Sequence, residues 1–180
     1  IMWKELGRES YSGGGTDSLS VASLTDMPYY MILYHAIPSG AISVNARING
    51  VSASDYSNNT AYNGSGGGTT DDDRLMFPSG TSEAYDGFGI GYLQNVATEE
   101  KQFFGHTNTG MGAGAGTAPS RYVTAGKWAD TSNAVDEFEI FDSSGTDLGA
   151  NSELIVLGYD PDGTDTTGSF WEELANVTYE

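Results

Sequence analysis

Short strand-like segments, separated by turn residues at close intervals, follow one another along most of the 180-residue chain. The clearest spans 41–48, where every second residue is apolar: Ile42, Val44, Ala46 and Ile48. Because side chains alternate between the two faces of a strand, this pattern is typical of a strand with one buried face. About ten such segments occur, and none has the 3.6-residue apolar period of an amphipathic helix. The sequence therefore predicts an all-β fold, an antiparallel, jelly-roll-like β-sandwich.

Turn residues divide the strands and also mark one long polar segment. The chain has 25 glycines, and Asn49-Gly50 has the residue types that tolerate the positive φ angles of a hairpin turn. Residues 52–73 are mostly Ser, Asn, Gly and Thr and end in three consecutive aspartates. This composition predicts a long exposed loop, and long loops in compact domains are often functional. The length fits a single β-sandwich domain over 1–180.

The two ends of the chain have similar sequences, Trp3-Lys4-Glu5-Leu6 and Trp171-Glu172-Glu173-Leu174. Large apolar residues near both ends indicate packed rather than frayed termini. We therefore expect an N-terminal strand and a C-terminal strand, 170–179, close together in one β-structure. The residues from Ser169 to Glu172 also match a helix capping box, which leaves a helical turn at the start of the last segment as the alternative.

Acidic residues far outnumber basic ones. Lys and Arg total 7 and Asp and Glu total 25, which gives a formal net charge of −18 at pH 7. So few cations cannot form the basic patch that neutralises phosphates, and nucleic-acid binding is not expected. A salt-rich or marine environment, binding of divalent cations, and solubility of a crowded surface protein each explain the acidity. No apolar run approaches the roughly 18 to 20 residues of a membrane span, so none is expected.

The residues on which most enzymes depend are scarce. The chain has no cysteine and two histidines, His35 and His106, and neither histidine lies in a recognisable catalytic motif. The glycine-rich segments 87–91 and 110–114 have G-x-G-x-G spacing, which differs from the G-x-G-x-x-G of dinucleotide-binding loops. We interpret them as turn and strand glycines. The sequence therefore predicts a protein without catalytic residues rather than an enzyme.

One acidic turn has the spacing of a partial calcium site. Asp160, Asp162 and Asp165 lie at i, i+2 and i+5 around Gly163, and carboxylate oxygens are the ligands that Ca²⁺ prefers. The segment lacks the complete D-x-D-x-D-G loop and its bidentate glutamate, so a solvated Asp/Gly turn is the alternative. Calcium is the one cofactor that the sequence suggests.

Tyrosines offer a second kind of site. Aromatic rings stack on the faces of sugar rings, and the chain has 11 tyrosines. Tyr56 and Tyr62 lie in the polar segment 52–73, so they are the candidates for contact with a glycan or another partner. Packing in the core or at its rim is the expected role of the others.

Several segments together carry a family resemblance: Trp3-Lys4-Glu5-Leu6-Gly7-Arg8, Asp17, Tyr30-Met31-Ile32-Leu33, Gly126-Lys127-Trp128, 153–160 and 170–174. In these segments the chain resembles a group of small, mostly uncharacterised structural proteins from marine and halophilic tailed viruses. The resemblance covers both ends and the region after 105–107, whereas residues 52–100 are not distinctive. It implies membership of a virion and brings no catalytic residues.

The function that this resemblance implies is that of a virion structural protein, exposed on the particle as a capsid decoration, a turret or a tail-fibre component. Its partners would be other virion proteins, further copies of itself in a homo-oligomer, and a glycan on the host surface. The alternative is a carbohydrate-binding module or lectin-like domain that uses aromatic stacking and a calcium ion. We expect the two to differ in whether binding requires a sugar.

Overall fold

The computed structural model describes residues 3–78, 85–110 and 114–159, and these residues form eleven β-strands and no helix. The strands are β1 (Lys4–Ser10), β2 (Ser18–Ala22), β3 (Tyr29–Ala36), β4 (Val44–Ile48), β5 (Tyr56–Tyr62), β6 (Ser65–Asp72), β7 (Gly87–Gln94), β8 (Lys101–Thr109), β9 (Ser120–Trp128), β10 (Glu137–Asp142) and β11 (Glu153–Tyr159). All their pairings are antiparallel. The predicted all-β class is therefore confirmed. In the same ranges, no helix suited to crossing a membrane was found.

The strands form two sheets that pack face to face. The large sheet has eight strands in the order β1-β11-β3-β7-β8-β9-β5-β6, and the small sheet has three in the order β2-β10-β4. Buried apolar residues of both sheets form one core cluster, including Leu19, Tyr30, Ile32, Val44, Ile48, Leu93, Trp128, Phe138, Ile140 and Val156. The fold is an antiparallel β-sandwich, as predicted. The face of the large sheet that lines this core is called the inner face below, and the opposite face the outer face.

The alternating segment 41–48 has the predicted buried face. The four alternating apolar residues are each at most 2% exposed: Ile42, Val44, Ala46 and Ile48. Asn49 and Gly50 then form a turn with φ angles of 53° and 64°, also as predicted. The hairpin expected from this turn is wrong, because β4 pairs with β10 whereas β5 joins the large sheet. The Asn49 side chain accepts hydrogen bonds from the N–H groups of Asp136 and Glu137, which ties the turn to the start of β10 instead.

Glycines on the inner face of β7 and β8 make room for large aromatic rings. The ring of Phe77 packs edge-on against Tyr34 and Phe103, with centroids 4.8 and 4.9 Å away. A Cβ atom added at Gly91 or Gly105 would lie 2.5 or 2.7 Å from the Phe103 ring, which is closer than real Cβ contacts. The G-x-G-x-G spacing of residues 87–91 is thus a strand feature, and the interpretation as strand glycines is confirmed for this segment.

The first and last described strands are neighbours. β1 pairs with β11, and the Arg8 side chain fastens the pair on the outer face. Its Nη1 donates to Oε1 of Glu153 at 2.7 Å, and its Nη2 donates to Oε2 of Glu5 at 3.0 Å. The predicted C-terminal strand at 170–179 lies outside the described residues.

The predicted loop over 52–73 is wrong, because most of this segment forms the hairpin β5–β6 at the edge of the large sheet. Asn63 and Gly64 form its two-residue turn with φ angles of 48° and 92°. The segment lacks apolar alternation because every residue of β6 from 65 to 71 is exposed. In β5 the buried side chain of Asn58 is polar, and its Oδ1 accepts the N–H of Met76 at 2.8 Å. The exposure expected for the segment holds for β6.

Candidate interaction surface

Two rows of mostly apolar side chains cross the outer face of the five central strands. One row, in the order of pairing, is Leu157, Met31, Tyr92, Phe104 and Ala125, and the next is Ile155, Leu33, Ile90, His106 and Val123. No acidic residue occurs at these ten positions, although the chain has 25 acids. Leu157 and Met31 are already buried, and the exposed apolar area of these rows lies at Tyr92, Phe104 and Ala125. This smaller area has the uncharged, apolar composition of a surface that a partner covers.

Seven aromatic residues line a groove at one end of these rows. We call five of them the outer aromatic surface: Trp3, Tyr29, Tyr92, Phe104 and Tyr159. The groove has a volume of about 540 Å³, and none of its described lining residues is charged. Tyr92 and Phe104 are 46% and 48% exposed. The Trp3 ring packs between two other residues of this surface: its centroid is 5.4 Å from that of Tyr159 and 6.2 Å from that of Tyr92. The groove can bind apolar side chains or stack against flat rings.

A more polar hollow of about 340 Å³ adjoins the groove toward β5 and β6. The two depressions share Gln102, Phe103 and Ala125. The hollow adds hydroxyl, amide and ammonium groups, including those of Asn59 and Lys127. The Lys127 ammonium group donates to Oε2 of Glu100 at 2.7 Å, so its charge is already paired. The outer face thus offers aromatic rings at one end and hydrogen-bonding groups at the other.

Both histidines lie on this face. His35, which sits among apolar residues in the sequence, points to the outer side of β3, where its Nε2 is 3.4 Å from Oδ2 of Asp86. His106 is exposed, and its ring centroid is 5.0 Å from that of Phe104. His106 is the one polar member of the two rows.

Tyr56, one of the two predicted contact residues, is in the core and offers no face to a ligand. It is 1% exposed, and its hydroxyl accepts the N–H of Ile48 at 3.0 Å while lying 3.2 Å from the carbonyl oxygen of Val51. Burial raises the pKa of this hydroxyl to about 12. The prediction fails because the polar residues around Tyr56 in sequence belong to an edge hairpin, whereas the first residue of β5 turns inward under the small sheet.

Tyr62, the other predicted contact residue, is 42% exposed but lies away from the outer aromatic surface. It pairs across the strands with Tyr122, and the two ring centroids are 4.8 Å apart. Its hydroxyl is hydrogen-bonded to Oγ of Ser120 at 3.0 Å. Tyr62 therefore shares the inner side of the large sheet with Tyr56, beyond the area that the core occupies. Its contact with a partner stays a prediction.

The predicted calcium ligands Asp160, Asp162 and Asp165 lie outside the described residues. Within 3–78, 85–110 and 114–159, no group of three or more His, Asp or Glu side chains is placed to hold a metal ion. Two carboxyls, Asp17 and Asp147, do meet: the hydrogen bond that protonated Asp147 donates to Asp17, followed by desolvation and repulsion, raises the pKa of Asp147. This contact is a crowded acidic pair and not a ligand set.

The groove residues are not among the contact residues that the sequence predicts, although a signal for one of them, Tyr92, is present. In 87–92, glycine alternates with Phe88, Ile90 and Tyr92. Glycines at every second position of a strand all lie on one face, here the inner face. The large residues between them must therefore lie on the other face. For Trp3 and Tyr159 no such signal exists, because their proximity depends on the pairing of β1 with β11.

Comparisons with protein-family models, with curated proteins and with solved structures found no match to this chain.

Proposed function

We propose that the protein is a structural component of a virus particle that assembles by packing its outer aromatic surface against another virion protein. The observation that carries the proposal is the exposure of Tyr92 and Phe104 beside a groove whose described lining residues carry no charge. The resemblance in the terminal segments supports the virion as its place of action. Capsid decoration, turret and fibre are the positions that this function allows.

The energetics of the two rings support an interface. Each is about half exposed, so a partner would remove on the order of 100 Å² of apolar area per ring from water, worth about 2.5 kcal/mol at 25 cal/mol per Å². Aromatic residues that are buried at the centre of an interface commonly dominate its binding free energy. Trp3 and Tyr159 pack against each other beside these rings, so the groove is formed before any partner binds.

The charge distribution supports the same function. The formal net charge is −18, and copies or partners of like sign repel unless the contact is neutral or salt screens the charges. The described residues that line the groove carry no charge. A partner can therefore cover the groove without burying an unpaired carboxylate, which would oppose binding.

The double substitution of Tyr92→Ser with Phe104→Ser tests the proposal. Incorporation into purified particles, measured as copy number by mass spectrometry, should fall at least tenfold, while thermal unfolding of the isolated protein stays close to that of the wild type. Val96→Ser is the matched control, because Val96 is also exposed but lies in the turn after β7. Normal copy number of the double variant would contradict the proposal, as would absence of the wild-type protein from particles.

Carbohydrate binding is the second candidate, and the polar hollow beside the aromatic rings favours it. Sugar sites combine a stacking ring with a few directed hydrogen-bonding groups, and Gln102 and Asn59 are placed to supply them next to Phe104. A glycan array read with and without a calcium chelator tests this function. Binding of one sugar class that Asn59→Ala weakens supports a lectin, and loss with the chelator adds the calcium ion. If no glycan on the array binds, assembly with another virion protein stays the proposed function.

A further inference from the structure

The two edges of the large sheet differ in a way that assembly through the outer face does not explain. Among the described strands, β1 forms one edge and β6 the other. The β1 edge carries four charged residues, Lys4, Glu5, Arg8 and Glu9, and a bulge after Glu5. Charges and bulges are the features by which natural edge strands avoid pairing with other chains. β6 lacks them over residues 65–70, where the sequence is Ser-Gly-Gly-Gly-Thr-Thr and every residue is exposed.

The backbone of β6 presents hydrogen-bonding groups away from β5. Asn63 and Gly64 form a two-residue turn, and such turns are closed by a bond between the residues on either side, here Tyr62 and Ser65. Hydrogen-bonded and non-bonded pairs alternate along an antiparallel ladder, so the pair of Thr60 with Gly67 is again a bonded one. The N–H and C=O groups of Gly66 and Gly68 therefore point outward, toward the position of a further strand.

The space beside this edge suits a close approach. Every residue of β6 from 65 to 71 is exposed, so no described segment covers this strand. A Cβ atom added at Gly67 would meet no atom within 4 Å, so the face of the sheet is open at this position as well.

We propose that β6 pairs with β6 of a second copy of this chain, antiparallel about a two-fold axis at Gly67. In this register Gly66 of each copy exchanges two hydrogen bonds with Gly68 of the other, and Gly67 faces its own copy in a non-bonded pair. The contact is isologous, so it closes on itself as a dimer.

The acidic end of β6 selects this orientation among those available to two like chains. Three aspartates, Asp71, Asp72 and Asp73, directly follow the uncharged residues 65–70. In the antiparallel register the two Asp71 residues are eight positions apart, about 27 Å at roughly 3.4 Å per residue. That separation exceeds the Debye length of about 10 Å in 0.1 M salt, so their repulsion is screened. A parallel pairing would set each aspartate beside its own copy.

The dimer has a consequence for surface binding. The two-fold axis of an antiparallel strand pair is perpendicular to the sheet, so the large sheets join into one and both outer aromatic surfaces lie on the same side. A dimer would then present two grooves to one particle or host surface, which raises avidity without any new contact. The strand pairing itself is independent of the function proposed for the groove.

Two variants that place opposite charges at Gly67 test the proposal. The molecular mass of each is measured by sedimentation velocity at moderate salt. Gly67→Lys should weaken dimerisation at least tenfold, because two like charges then face each other across the axis, although the substitution lowers the net negative charge of each chain. Gly67→Glu should weaken it as well, and mixing the two variants should restore a dimer. Gly67→Ala is the control and should dimerise like the wild type.

Gly68→Pro gives a second test of the strand pairing, and this test does not depend on charge. Proline removes the outward N–H and is tolerated on an edge strand, so the hairpin should fold while dimerisation is lost; Gly68→Ala keeps the N–H and should retain it. Thermal unfolding of each variant checks that the monomer is intact. A wild-type protein that stays monomeric up to millimolar concentration would overturn the proposal. So would a dimer that survives Gly67→Lys, or one that Tyr92→Ser with Phe104→Ser dissociates.

Discussion

Gly91 and the ring of Phe103 occupy the same part of the inner face: a Cβ atom at Gly91 would lie 2.5 Å from Cε2 of Phe103. Phe103 is buried and packs edge-on against Phe77, so the ring has little room to move. Gly91→Ala should therefore lower the free energy of unfolding by about 1–3 kcal/mol, the usual range for overpacking a core. Urea unfolding followed by tryptophan fluorescence measures this change.

Gly67→Ala is the matched control for Gly91→Ala, because both glycines lie within strands of the same sheet. No atom lies within 4 Å of a Cβ at Gly67, and this glycine does not have a positive φ angle. Alanine restricts the unfolded chain, so this variant should be neutral or more stable by about 0.4–1 kcal/mol. Equal destabilisation of the two variants would show that the loss is due to glycine as such and not to contact with Phe103.

The same glycines show how much of the fold the sequence allows one to predict. The alternation in 41–48 and the turn at Asn49-Gly50 follow from local chemistry, and the structure has both. The hairpin β5–β6 was not predictable from apolar periodicity, because β6 is exposed on both faces and the polar Asn58 is buried by bonds to the backbone of Arg74 and Met76. Those partners lie on a different segment, and their position depends on the tertiary fold.

The candidate site was harder to predict than the fold. The polar neighbours of Tyr56 in sequence predict exposure, but burial is decided by which face of the strand the residue occupies. Trp3 and Tyr159 are 156 positions apart and meet only because β1 pairs with β11. Tyr92 could have been found, since the glycines at 87, 89 and 91 leave the outer face as the place for the large residues of this segment.

Tyr56→Phe should destabilise the protein although the ring is retained. The hydroxyl accepts the buried N–H of Ile48 at 3.0 Å, and its loss leaves that donor without a partner. An unpaired buried donor costs about 1–3 kcal/mol, which urea unfolding at neutral pH would detect. A variant as stable as the wild type would mean that another acceptor takes the N–H of Ile48.

The raised pKa of Tyr56 predicts a loss of stability in alkali. The folded-state pKa is about 12 and the ordinary value is 10.0, so the unfolded chain releases this proton first as pH rises. Stability from this group is therefore complete below pH 10 and declines as pH increases toward 12. The free energy of unfolding should fall over this window in the wild type and fall less in Tyr56→Phe. Part of the decline should remain in the variant, because burial also raises the pKa of Tyr30 and Tyr122.

Asp147→Asn should raise the thermal unfolding midpoint at neutral pH. The hydrogen bond and the repulsion from Asp17 raise the pKa of Asp147, so its contribution to stability is complete below the ordinary pKa of 3.8 and is lost as pH rises through the folded-state value. At neutral pH both carboxyls are charged, and the amide removes their repulsion. The gain should shrink in high salt and disappear in acid, as differential scanning fluorimetry across pH would show.

Asp130→Asn is a control for which we expect the opposite change in the thermal unfolding midpoint. Its carboxyl accepts hydrogen bonds from the Asn133 side chain and from the N–H groups of Ser132 and Asn133, which lower its pKa. The stability it contributes is present above the ordinary pKa of 3.8 and is lost as pH falls through the folded-state value. This variant should therefore lower the midpoint at neutral pH. If both variants shifted the midpoint in the same direction, the pairing of Asp17 with Asp147 would not be the cause.

The excess of acids predicts that salt stabilises the fold, and the form of the dependence separates two explanations of that excess. With 25 acids against 7 basic residues, the compact state carries more self-repulsion than the unfolded chain, and added NaCl screens it. Urea unfolding, which adds no ions, should therefore give a midpoint that rises with NaCl.

Screening of pairwise repulsion is largely complete by about 0.5 M, where the Debye length is a few ångströms. A rise that stops there is what generic acidity produces, whereas a rise that continues to several times that concentration supports adaptation to a salt-rich environment. A midpoint that does not change with NaCl would mean that the ion pairs of Arg8, Arg74 and Lys127 already offset the repulsion.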